Sequence, residues 1–345
     1  MNNKNKIKYI IALVSLVLLT MLVVMVKYYY QHFGSNITGK QAYLYIHTGA
    51  NYSDVVKMLE KEGVLEDVAS FKQLAEKMHY PEHVKAGKYR LKRGMSNHRF
   101  INMLKAGNQE PVKLSYQNIR LKEDFVGVVS RKIEADSLSL IQLLDSAGFV
   151  EKYGFNRSNV YAMFIPNSYQ LYWNTSAEKF FVRMYDEYQK FWTKERKAKA
   201  QMIGLKPIQV SILASIVDGE ALHEKEMPMI AGLYMNRYNS GTPLESDPTV
   251  IFATNDFTIR RVLNKHLRID SPYNTYLHTG LPPGPINMPS MKAIDAVLNN
   301  TKHHYVYMCA KDDFSGYHNF ASTLAAHQVN AHKFQEALNE RNIRK

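Results

Sequence analysis

The sequence predicts an α+β protein in three parts: a transmembrane helix at the amino terminus, a small mixed module, and a larger domain of helices with a few strands. Three observations predict it. Tyr9 to Val26 is an uncharged apolar run. Residues 42–107 alternate strand-like and helix-like segments separated by capping residues and glycines. Beyond Pro207, patterned helices alternate with loops dense in Pro, Gly, Asn and Tyr. The expected boundaries give an anchor over 1–30, a module over 31–110 and a large domain over 111–345.

YIIALVSLVLLTMLVVMV, residues 9–26, is roughly the minimum length of a bilayer-spanning helix. Lys4, Lys6 and Lys8 precede it, which by the positive-inside bias puts the amino terminus in the cytoplasm. No small-residue cleavage site follows Val26, as a removed signal peptide would require; Lys27 and Tyr28 to Tyr30 follow instead, an interfacial aromatic anchor. The expectation is a single-pass protein of the cytoplasmic (inner) membrane with its bulk on the extracytoplasmic (periplasmic) side. A buried core helix is the alternative.

In the module, Tyr43 to Ile46 reads as a strand. Ser53 is expected to cap the helix VVKMLEKEG, with Gly63 as its stop. A second helix, FKQLAEKM, leads to a short strand around Tyr89 and Leu91. Ser96 then caps a third helix that Gly107 ends. From Val112 the strand VKLSY opens the large, mostly helical domain; Ser176 with Glu178 gives a helix start, and the lysines and glutamates from there to Ala200 read as a solvated helix face.

Net charge and composition narrow the function. The 345 residues are 22% charged and 46% hydrophobic, as in an ordered globular chain. The formal net charge of +13 suits an anionic membrane surface or an acidic polymer. No helix carries a basic stripe interleaved with aromatics, so nucleic acid is not expected as a partner. The single cysteine, Cys309, lies in the apolar run HHYVYMCA and is expected to be a buried thiol. The histidines lack the spacing of a helical metal pair, and no nucleophile elbow, phosphate loop or dinucleotide fingerprint occurs. Neither metal nor cofactor is expected.

One stretch stands out: SILASIVDGEALHEKE, residues 211–226. At about 100° per residue, Ile212, Leu213, Ile216 and Val217 share a face and Glu220 falls on it, while Asp218 points away. A carboxylate facing a core needs a partner, with Arg237 as a candidate, or has a raised pKa that keeps it protonated as a general acid. Breaking a glycosidic bond needs such an acid. Gly219 beside it hints at the close approach of a ligand or another backbone. A second carboxylate is less obvious: Glu224 lies at the stripe's edge, and Asp247 sits in a turn before Pro248.

The order ASIVDGEA, NR, LESDPTV, SPYNTY, GLPPGPI and HNFAST followed by His327 resembles the endolytic murein transglycosylases, membrane-anchored enzymes of the bacterial wall. KAGKYRLKRGMS is similar to that family's lysin-motif-like module, and FIPNSYQL to its FPDTY segment. The resemblance implies cleavage of the MurNAc-GlcNAc bond in nascent peptidoglycan strands without water. One glutamate, here Glu220, protonates the leaving oxygen and then helps the muramyl C6 hydroxyl attack C1, closing a 1,6-anhydro ring and limiting strand length. The nucleophile then comes from the substrate, so one carboxylate suffices. The sequence departs from the pattern at Asp218, Gly219, Asn167 and Ser290. Candidate substrate contacts are Tyr273, Asn274 and Tyr276 in the YNTY loop, with His318 and Asn319 on the opposite wall. Asp247 and Thr249 are expected to position Glu220. Peptidoglycan synthases are candidate partners. A hydrolytic muramidase using Asp247 or Glu224, and a non-catalytic glycan-binding scaffold, are the competing readings.

Overall fold

The computed structural model describes residues 3–341, with side chains from Lys6 onward. Helix α1 (Asn3–Phe33) is followed by β1 (Tyr43–Ile46), α2 (Tyr52–Lys61), α3 (Val68–Lys77), β2 (Gly87–Arg90) and α4 (Asn97–Ala106). Residues 6–33 are long and apolar enough to cross a bilayer by length and composition. Their apolar side chains are not covered by the rest of the chain: Leu16 is 58% exposed and Val24 66%. The buried-core alternative for this helix is thereby excluded.

Contacts divide the chain into two units: Met1–Lys113 with Lys132–Glu134 and Gln170–Thr175, and the remainder. In the first, β1 and β2 pair antiparallel with Leu44 opposite Tyr89. Their inward residues join Val55, Leu59, Phe71, Phe100 and Leu104 in one core. Caps set the helix starts. Ser96 Oγ accepts from Arg99 N–H at 3.4 Å, and Gly107 ends α4 at φ +73°, a left-handed geometry that glycine adopts without strain. Ser53 is not the α2 cap. Asn51 takes that place in a reciprocal capping box with Asp54, because an acidic residue three positions on can return the bond. The two inserted segments belong to this unit through Glu134, which accepts from Thr48 N–H at 2.8 Å, and Trp173, whose ring meets Tyr45 edge-on.

The second unit contains most of β3 (Val112–Tyr116), paired with β4 (Asn167–Leu171), and the helices α5 (Lys122–Ser130), α6 (Ser137–Asp145), α7 (Ala147–Val150), α8 (Ala177–Phe191) and α9 (Lys194–Met202). Phe125, Phe164, Phe180 and Phe181 stack into an aromatic core between them. Then come α10 (Pro207–Glu220), α11 (Met227–Asn239), α12 (Asp247–Thr254), α13 (Met291–Leu298), β5 (Tyr307–Ala310), β6 (His318–Ala321) and α14 (Leu324–Glu340). Helix α10 is the pillar of this half: every side chain from Val210 to Val217 is buried, and α11, α12 and α13 pack around it.

Candidate active site

The apolar stripe does not run past Glu220: α10 ends there, and Ala221 is already extended. The glutamate is therefore not in mid-stripe but at the helix terminus. Removal from water raises the Glu220 pKa most; hydrogen bonds from Ser246 and Tyr234 oppose this, and the charge of Asp247 adds to it.

Arg237 is not its partner. That guanidinium is 5% exposed and is engaged by the carbonyls of Pro243 and Val306 and by the Glu245 carboxylate. Instead, Tyr234 Oη donates to Glu220 Oε1 at 2.9 Å and Ser246 Oγ donates to the same oxygen at 2.7 Å. Among the described residues, Oε2 has no partner. A protonated carboxyl group so held accepts twice at its carbonyl oxygen and presents its O–H on the other. Burial raises the Tyr234 pKa well above the usual phenol value, so that hydroxyl stays a donor.

Ser246 is placed by a closed hydroxyl network. Its backbone N–H donates to Thr275 Oγ1 at 3.0 Å, and Thr249 Oγ1 donates to the Ser246 carbonyl at 2.6 Å while touching Thr275 Oγ1 at 2.8 Å. Thr249 and Ser246 are completely buried. Thr249 thus acts on Glu220 through Ser246 and does not reach it directly. Gly219 explains how the turn comes so near. A Cβ built there would lie 3.0 Å from Pro248 Cβ and 3.3 Å from Cγ, so the close approach is that of the α12 start, with Ser246 just before it.

A cleft of about 300 Å³ opens beside Glu220, lined among others by Tyr234, Asp247, Tyr276, Tyr307, Cys309 and His318. Asp247 is the first residue of α12, not a loop residue, and accepts from Tyr276 Oη at 2.7 Å. It faces the cleft without bonding Glu220. His318 Nδ1 lies 2.8 Å from Glu226 Oε2. Cys309 is half-buried at the cleft wall, not fully buried; partial burial and Asp312 raise its thiol pKa. Asn274, by contrast, is completely buried: its amide donates to the carbonyls of Leu267 and Ile269, and its Oδ1 accepts from Tyr276 N–H. It staples the loop, with both amide hydrogens spent on backbone carbonyls. Tyr273 packs on Phe252 and does not line the cleft, nor does Asn319, which sits opposite Cys309 in the β5–β6 ladder.

The other carboxylates fall elsewhere. Lys292 Nζ bonds both oxygens of Glu224 at 2.6 Å on the exposed surface. Asp218 accepts from the N–H and Oγ of Ser290, the cap of α13, so those two departures from the expected pattern form one contact. Tyr234, Ser246 and Glu226 were not singled out from the sequence. Tyr234 reads as a core aromatic of α11, Ser246 as a turn residue, and Glu226 as one of two acids in LHEKE.

The family model described as "YceG-like family" matches residues 44–333. A protein of Bacillus subtilis named endolytic murein transglycosylase is 40% identical over 129 residues, 37% of this chain and 35% of that protein. A Streptococcus pneumoniae protein of the same name is 26% identical over 297 residues, 76% of this chain and 53% of that one. The chain thus spans about half the length of these relatives or less. The crystal structure of a YceG-like protein from Listeria monocytogenes superposes with a TM-score of 0.55 at 23% identity, covering 83% of this chain and 97% of the other, and shares the fold. With the matched span covering both the module and the helices that carry Glu220, the chain belongs to the YceG-like family.

Proposed function

We propose that this chain is a lytic transglycosylase that cleaves peptidoglycan glycan strands endolytically, with Glu220 as the acid. One observation carries the reading: a carboxyl group at a helix terminus, held by two donors on Oε1, with Oε2 unpartnered beside the cleft. The carboxyl gives its proton to the leaving glycosidic oxygen as the bond to C1 of the muramyl residue breaks. Bond formation from that residue's own C6 hydroxyl, which gives up its proton to a base on the cleft wall, closes a 1,6-anhydro ring, so no water is consumed. The names of the relatives support this substrate class. Tyr276 and Asp247 offer a phenol and a carboxylate to sugar hydroxyls at the cleft rim.

The apolar helix supports a single-pass anchor, with the module over 31–110 and the catalytic domain over 111–345 on the outer side of the cytoplasmic membrane. There the enzyme would meet nascent strands and their synthases and limit strand length. The test is mass spectrometry of purified glycan strands incubated with the full-length protein in detergent. Anhydro-muramyl ends are expected, and none from Glu220→Gln. Anhydro ends from that variant at the parent rate would overturn the assignment of Glu220. Because Asp247 lines the same cleft, hydrated reducing ends would favour the muramidase reading instead.

A further inference from the structure

Glu226 and His318 form a second carboxylate device on the cleft. Glu226 is only 6% exposed, and both of its oxygens are used on His318: Oε1 accepts the backbone N–H at 2.8 Å and Oε2 meets Nδ1 at 2.8 Å. A buried carboxylate needs such donors, and since it cannot itself donate, the nitrogen facing it carries the proton. That fixes the tautomer with the lone pair on Nε2. Among the described residues Nε2 has no hydrogen-bond partner, and it is not among the sealed, unsatisfied polar atoms. The ring lines the cleft that Glu220 lines.

From this arrangement, and resting on the transglycosylase reading above, we propose that His318 is the base that takes the proton of the attacking C6 hydroxyl and that Glu226 is its positioning residue. Proton and bond changes balance. Glu220 gives its proton to the leaving oxygen as the C1–O bond breaks; the C6 oxygen bonds to C1; its proton passes to His318 Nε2. The imidazolium is stabilised by the Glu226 carboxylate on its other side, as a carboxylate supports the histidine of a catalytic triad. After product release the proton returns through solvent to Glu220. Glu220 then never has to be acid and base within one turnover. His327 also lines the cleft, but its Nδ1 is sealed without a partner and its ring stacks on Tyr307. Among the described residues no carboxylate hydrogen-bonds its ring, as Glu226 does that of His318.

The experiment measures kcat, KM and the end-group ratio on purified glycan strands for the full-length parent and for His318→Gln, His318→Ala, Glu226→Gln and Glu220→Gln. Loss of the base is expected to lower kcat by about 10²-fold or more with KM little changed, within the usual contribution of general base catalysis. Added imidazole is expected to restore part of the His318→Ala rate, and hydrated ends are expected to rise as water competes with the poorly activated hydroxyl. A structural role would produce neither effect. Parent kcat and purely anhydro ends in His318→Gln, or a loss confined to KM without imidazole rescue, overturn the inference while leaving Glu220 in place. Anhydro ends from Glu220→Gln would instead bring down the reading on which it rests.

Discussion

Gly219→Ala separates stability from catalysis at one atom. Its new Cβ would lie 3.0 Å from Pro248 Cβ, about 0.4 Å inside the 3.4 Å at which ordinary contact begins. Pro248 stands in the first turn of α12, and its ring cannot rotate aside. The α12 start must therefore move by a few tenths of an ångström and take Ser246 with it. A misplacement of about 1 Å in a catalytic constellation can cost about 10²-fold, so a shift of this size is expected to lower kcat roughly five- to tenfold. Stability should hardly change: alanine gains up to about 1 kcal/mol of helix propensity, and the overpacking costs about the same or a little more. The assay pairs initial rates on glycan strands with thermal unfolding. Gly219→Val, bulkier and branched, should lose more activity. Full kcat in Gly219→Ala would show that the approach of α12 to the end of α10 does not set the geometry of Glu220.

Other perturbations follow from the same network. Ser246→Ala and Tyr234→Phe each remove a donor that favours ionised Glu220, so its pKa rises further. In the proposed mechanism the protonated form is the acid, so the alkaline limb of the kcat profile should move to higher pH; a move to lower pH would contradict the assigned bonds. A raised carboxyl pKa means that the folded state binds more protons than the unfolded one, so stability falls as pH rises from the unfolded value of about 4.3 through the folded one. Glu220→Gln, which cannot ionise, should therefore melt higher than the parent at neutral pH, with the gap closing in acid. Asn274→Ala should lower stability by about 2–3 kcal/mol, one increment for each of its three bonds, and leave KM unchanged in the folded fraction. A large rise in KM with unchanged melting would restore it as a sugar contact. Arg237→Met leaves the carbonyls of Pro243 and Val306 without their donor, while the exposed Glu245 is taken up by water, and should cost about 2–3 kcal/mol in denaturant titration.

Much of the architecture was legible because its signals are local. The strand at Tyr43 to Ile46, the caps at Ser96 and Ser176 and the stop at Gly107 all depend on residues within one turn of each other. Where two polar residues competed for one cap, at Asn51 and Ser53, the outcome turned on Asp54 returning a hydrogen bond. The site divides in the same way. Glu220 is conspicuous in sequence because a carboxylate interrupts an apolar pattern, and Asp247, Tyr276 and His318 come to its cleft from three separate segments. Polarity alone could not tell Asn274 from Tyr276, since burial decides which keeps its group at the cleft and which spends it on the loop. Nor could it find Ser246, Tyr234 and Glu226. Their partners lie 26, 14 and 92 positions away, and only the fold pairs them.

The claim that the nucleophile is the substrate's own hydroxyl is tested most directly by digesting glycan strands in water enriched in oxygen-18 and weighing the new ends. The account predicts anhydro-muramyl ends that carry no heavy oxygen, at every extent of digestion, and no such ends from Glu220→Gln. New reducing ends that each carry one heavy oxygen would show that water attacks C1, and the protein would then be a hydrolase built around the same carboxyl group.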